Sequence, residues 1–246
     1  MSQTHQITRA AGVVSGATFL SRILGFARDV IVAWFFGAGL AADAFFVAFR
    51  IPNLLRRLFA EGSLTISFVP VFSEYLYKHG RAEAFKLARS TWWILTLLLV
   101  VVSLCGVLFA PLIVRLIAPG FYASAEKFEL TVLLTRIMFP YIFFIALVAL
   151  AMGILNSLGS FGPPAFAPVL LNVAIIASVV FIAPHLGQPA LALALGVIIG
   201  GALQLALQLV SMVKRGFHLF VRGPLYHAVV KRIAGLMTPA VFGAAV

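Results

Sequence analysis

The stretch Ile7–Phe36, ITRAAGVVSGATFLSRILGFARDVIVAWFF, is long and apolar enough to cross a bilayer, yet it holds Arg22, Arg28 and Asp29 in its interior. A membrane-spanning helix needs about twenty mostly apolar residues. A central arginine costs a few kcal/mol on insertion scales, so a charge at that depth points to a functional site. The next apolar stretch, from Ala42 into the Tyr75–Tyr77 region, repeats the pattern with Asp43, Arg50, Arg56, Arg57 and Glu61. Across the two stretches the arginines outnumber the acids, and unpaired charge at depth requires water or a ligand. Surplus guanidinium groups suit an anion, and their planar fork suits phosphate.

The rest of the chain agrees with a membrane environment. Its 246 residues are 63% hydrophobic and 10% charged, and the mean hydropathy is +1.11. A soluble domain of this size needs far more polar surface. The net charge of +11 comes from Lys and Arg gathered largely at span ends, with no basic soluble module, which argues against nucleic-acid binding. Cys105 is a lone cysteine in an apolar run, read as a small buried hydrophobe. No cleavable signal peptide is expected, because the first apolar stretch carries arginines in its middle.

Six spans can be drawn: the two above, then Thr91–Ala118, Leu130–Leu158, Ala165–Ala183 and Pro189–Val213. Residues Met237–Val246 read as the opening turns of a seventh, cut short. The fold class is therefore an all-α polytopic helix bundle. Residues 1–215 form a six-helix lobe, 216–236 a cytoplasmic amphipathic connector, and 237–246 the start of another helix. The second stretch is too long for one membrane crossing and is expected to be interrupted near Pro52 or Gly62. Lys78, Arg81, Lys86 and Arg89 follow the second span, and Lys214, Arg215, Arg222, Lys231 and Arg232 follow the sixth. The loops at 37–40 and 184–188 hold no Lys or Arg. By the positive-inside rule the basic segments and the N-terminus are cytoplasmic. Gly12 with Gly16, and Gly196 with Gly200, permit close helix approach, while Pro52, Pro70, Pro140 and Pro168 interrupt spans.

Within the charged spans, Arg22 and Asp29 lie seven apart and share nearly one helix face, with Gly25 between them. Asp43, Arg50 and Arg57 recur at the same interval and make a polar stripe, with Pro52 disturbing its phase. Asn53 offers amide donors beside that break. Mutual neutralisation by ion pairs is the competing reading, weakened by the excess of arginine. Enzymatic chemistry has little footing. His5, His79, His185, His218 and His227 fall in tails, loops or the connector, Glu126 and Glu129 sit at a loop edge, and neither metal-ligand spacing nor a glycine-rich phosphate loop occurs.

Several motifs carry a family likeness: Ser21-Arg-Ile-Leu-Gly-Phe-Ala-Arg-Asp29, Phe36-Gly-Ala-Gly39, Ala42-Asp-Ala-Phe-Phe46 and Ile51-Pro-Asn-Leu-Leu-Arg-Arg-Leu-Phe-Ala-Glu-Gly62. Further along are Phe68-Val-Pro-Val-Phe72, Ala118-Pro-Gly-Phe121, Phe139-Pro-Tyr141, Gly153-Ile-Leu-Asn156 and Pro164-Ala-Phe-Ala-Pro168. The chain resembles the MurJ (MviN) lipid II flippases of the MOP exporter superfamily. That resemblance implies two six-helix lobes around a central cavity, of which this chain is the N-terminal one. It implies export of an undecaprenyl-diphosphate-linked disaccharide-pentapeptide across the bacterial inner membrane for peptidoglycan synthesis. Arg22, Arg28 and Arg56 would bind the diphosphate, and Ser21, Asp29, Asp43, Asn53 and Glu61 fall on other motif positions. No cofactor is implied. Sodium or the membrane potential would drive transport, with any ion site in the other lobe. The implied partners are lipid II, the bilayer, the C-terminal lobe and cell-wall synthesis proteins, and no nucleic acid. Exporters of drugs or of other lipid-linked polymers share the fold, though cationic drugs call for acids in the cavity. A membrane scaffold for cell-wall enzymes is the alternative of another class, and its partners would touch outer surfaces instead.

Overall fold

A computed structural model describes residues 3–37, 39–56, 64–221, 229–233 and 235–236. Among the described residues every regular element is helical. The α-helices in chain order are α1 (Gln3–Phe36), α2 (Leu40–Arg56), α3 (Leu64–Leu108), α4 (Ala110–Ile117), α5 (Ala125–Met138), α6 (Tyr141–Ser157), α7 (Gly162–Ala177) and α8 (Ala190–Lys214). The stretches Ile66–Leu108, Ala125–Ser157, Gly162–His185 and Ala190–Lys214 are long and apolar enough to cross a membrane. α1 and α2, which carry Arg22, Arg28, Arg50 and Arg56, are not among those four. α2 has 17 described residues, and α1 carries Arg22, Arg28 and Asp29 in its centre.

The hydropathy pattern predicts a basic loop after the second span, whereas residues 78–89 are helical within α3. The segment Arg81-Ala-Glu-Ala-Phe-Lys-Leu-Ala-Arg89 is built from strong helix formers, and Lys78–Glu74 and Lys86–Glu83 pair one turn apart on its surface. The reversal falls on Gly80 alone, whose φ of 80° lies in the left-handed region that glycine adopts without strain. Pro52, Pro70 and Pro168 lie inside helices, while Pro140 stands at the junction of α5 and α6. Of the two positions at which the second stretch is expected to be interrupted, Pro52 lies within α2, and Gly62 falls in residues 57–63, outside the described residues, as does the segment 237–246.

The span formed by α5 and α6 is the central one, with α6 buried along most of its length. α6 packs on α3 and α8, α8 on α7, α7 on α1, and α2 on α5. Gly196 and Gly200 make the α7–α8 crossing possible. A Cβ at Gly196 would lie 2.8 Å from the Ile175 Cα, and one at Gly200 3.0 Å from the Leu171 Cα. Gly12 and Gly16, the other small pair, face open space. Beyond α8 the chain turns back on the middle of α3, just after Gly80. Arg81 donates to the Arg215 carbonyl at 2.9 Å, the Phe217 ring meets Phe85 edge-on, and Val230 and Ile233 are buried in the main core. The described part of the connector thus docks on the bundle, aided by an Arg232–Glu74 contact of 3.4 Å.

Candidate functional site

Arg28 occupies the face of α1 that turns toward α7. Its Nε and Nη2 donate to the Asp29 Oδ1 at 2.9 and 2.7 Å, and its Nη1 donates to the Asn172 Oδ1 at 3.0 Å. Asn172 in turn donates from Nδ2 to the Ser21 carbonyl at 3.0 Å, so one amide spans Ser21 and Arg28. Gly25 lies between them on the same face, with the Asn172 amide 3.6 Å from where a Cβ would stand. A guanidinium has five N–H groups. Three are engaged here, which leaves one on each terminal nitrogen.

Arg28 lines a cavity of about 460 Å³ between the helices. Its polar lining is Arg28, Asn53, Tyr141, Asn172 and Gln204, from α1, α2, α6, α7 and α8. Phe49, Met152 and Leu171 contribute apolar wall. The far side is locked: the Tyr141 hydroxyl donates to the Gln204 Oε1 at 3.3 Å, and the Gln204 Nε2 donates to the Ala167 carbonyl at 2.8 Å. Among the described residues the chamber is lined by one cation and by neutral hydrogen-bonding groups, which favours an anion over a cation. A larger cavity of about 590 Å³ opens at the other end, between the tip of α1 and the starts of α5 and α8. Its lining among the described residues carries Glu126 and Glu129 and no basic side chain, so its chemistry does not suit an anion.

The remaining residues singled out in the sequence scatter. Ser21 is half-buried and enters through its carbonyl. Arg22 is exposed and lies outside the cavity lining. Helical spacing put Asp29 on the Arg22 face, yet Asp29 is taken by its neighbour Arg28, whose side chain is 24% exposed against 56% for the carboxylate. Asp43 pairs with Lys127 at 2.5 Å. There it clasps the start of α2 to the start of α5, and Lys127 also stacks 4.2 Å over the Phe121 ring. Arg50 is exposed. Arg56 closes α2, with its side chain outside the described residues, and Arg57 and Glu61 lie wholly outside them. Asn172 and Gln204 were not among the predicted site residues. Among the described residues no group of His, Cys, Asp and Glu is placed to hold a metal.

An all-helical membrane bundle with an arginine at an internal chamber is the build of a polytopic transport protein. The sequence matches the family described as lipid II flippase MurJ over residues 32–246, and the chain belongs to that family. A lipid II flippase MurJ from Burkholderia cenocepacia is 47% identical over 97% of this chain and 47% of that protein. A probable lipid II flippase MurJ from Vibrio cholerae is 41% identical over 99% of this chain and 48% of that protein. The chain therefore spans about half the length of these relatives. Among solved structures, a lipid II flippase MurJ in an inward closed conformation superposes with a TM-score of 0.78 at 30% identity, over 94% of this chain and 47% of that one. A MOP superfamily transporter from Pyrococcus furiosus matches at 15% identity with a TM-score of 0.74, over 96% of this chain and 52% of that one, and shows the shared fold alone. The family is one of flippases, a transport class and not an enzymatic one.

Proposed function

We propose that this chain supplies the N-terminal lobe of a flippase that carries lipid II from the cytoplasmic to the outer leaflet of the bacterial inner membrane. The observation that carries the reading is Arg28, held at the edge of an internal chamber with two N–H groups unspent. Family membership gives that arginine its candidate substrate. A diphosphate is the part of lipid II that a guanidinium grips through charge-assisted bonds, and Arg22 and Arg56 are the further arginines proposed to meet it.

In this reading the two lobes rock against each other to alternate access, as repeat-built transporters do. The N-terminus is cytoplasmic, in keeping with the basic residues after the second and sixth spans. An inside-negative potential assists outward movement of the anionic headgroup. The protein needs no cofactor of its own, and any coupling-ion site belongs to the other lobe. The test is Arg28→Ala in the complete protein, followed by the accessibility of lipid II in the outer leaflet. Transfer should fall at least tenfold at unchanged protein level, since a charge-assisted hydrogen bond is worth about 1.5–3 kcal/mol. Undiminished transfer removes Arg28 from the site.

A further inference from the structure

We propose that Asn172 is the positioning residue for Arg28, fixing the guanidinium so that its two unspent N–H groups face the chamber. The inference rests on the reading of Arg28 as the diphosphate-binding group. It starts from an oddity of composition: α7, Gly162–Ala177, is apolar but for this one side-chain amide. Asn172 is only 6% exposed, and a buried amide is costly unless both of its ends are bonded. Both are: the oxygen accepts from Arg28 and the nitrogen donates to the Ser21 carbonyl.

The geometry explains why a second holder matters. Asp29 uses a single oxygen, Oδ1, to accept from Nε and Nη2, so it grips one edge of the guanidinium. A plane held along one edge by one atom is free to swing about it. Asn172 takes the opposite nitrogen and closes that freedom from a different helix. It does so as a neutral acceptor. A second carboxylate in its place would have cancelled the charge that an anion needs, whereas an amide orients the guanidinium and leaves the charge available. The same amide is anchored to α1 about two turns away at Ser21, so its own rotamer is set by the helix whose arginine it orients. A site loses function when the partners that orient it are left loose.

The test uses the complete protein in detergent, with a fluorescent undecaprenyl diphosphate as the probe. Asn172→Ala should weaken probe binding about tenfold, the worth of one hydrogen bond to a charged group. It should also speed modification of Arg28 by phenylglyoxal, followed on the Arg28 peptide by mass spectrometry. In an Arg28→Ala background, Asn172→Ala should change the residual affinity less than twofold, because the residue acts through Arg28. An equal loss in both backgrounds would make Asn172 a plain tie between α1 and α7 and overturn the inference, as would an unchanged affinity in N172A. An Arg28→Ala protein that binds like the parent sinks the diphosphate reading itself. A normal loss in R28A with a silent N172A sinks only the role given to Asn172. Should N172A fail to fold, Asn172→Asp keeps the shape and an oxygen toward Nη1. Its carboxylate gives up the bond to the Ser21 carbonyl but neutralises the Arg28 charge, so it should weaken probe binding by at least tenfold; parental affinity overturns the proposal.

Discussion

At the scale of single residues, the site depends on how a guanidinium is held more than on its charge. Arg28 makes three hydrogen bonds from a planar fork, and an ammonium on a flexible stem cannot meet Asp29 and Asn172 and still present two parallel donors. Arg28→Lys is therefore expected to lower lipid II transfer about tenfold or more despite the conserved charge, measured by leaflet accessibility at matched protein level. Asp43 gives the contrast. Its carboxylate sits in the first turn of α2, where the helix dipole favours an anion, and its partner Lys127 belongs to α5, away from the chamber. Asp43→Ala should cost only about 0.5–1 kcal/mol, the range of an exposed pair plus a dipole term, seen as a small drop in thermal midpoint. Transfer should fall far less than in R28A. A loss as deep as that of R28A would return Asp43 to the substrate path.

At the scale of helices, the sequence is most legible where one segment suffices to read it. Ile7–Phe36 announces a charged span through Arg22, Arg28 and Asp29 alone, and α1 covers that stretch. What spacing could not supply is which residue from a distant helix meets which charge. Asn172 lies 144 positions from Arg28, and Lys127 lies 84 from Asp43. The only local signal was a solitary amide in an apolar run, which in sequence looks like an ordinary polar exception. Basic residues 78–89 misled for a different reason: hydropathy marks a polar stretch but not how short its turn is, and here the break is Gly80 alone, with helix on either side of it. The two glycine pairs separate in the same way, since both have the spacing for close packing but only Gly196 and Gly200 have a helix against them. Gly200→Val should overpack the α7–α8 crossing and cost about 1–3 kcal/mol, read as a lowered unfolding midpoint in detergent. Gly12→Val should leave the midpoint within a degree or two. Equal behaviour of the two variants would mean that the α7–α8 contact does not carry the fold.

At the scale of the whole molecule, the chamber has walls on the α6, α7 and α8 side, while α1 and α2 still present charge outward. Arg22 and Arg50 are exposed and neither is held by a carboxylate among the described residues. On the same outer side of α1 the apolar residues Phe19, Phe26 and Trp34 are 68%, 73% and 84% exposed. Large apolar side chains are at ease in lipid, but an arginine at mid-bilayer depth is not, and the cost is met by water in a cavity or by opposite charge. Two exposed arginines with no carboxylate partner among the described residues suit a further wall that encloses water, and relatives about twice as long have the length to build one. The chain alone, reconstituted into vesicles, should therefore insert yet give no lipid II transfer above that of protein-free vesicles. The complete Burkholderia cenocepacia relative, assayed beside it, should transfer. Equal rates from the two would mean that this half encloses the path by itself, and the two-lobed reading would have to go.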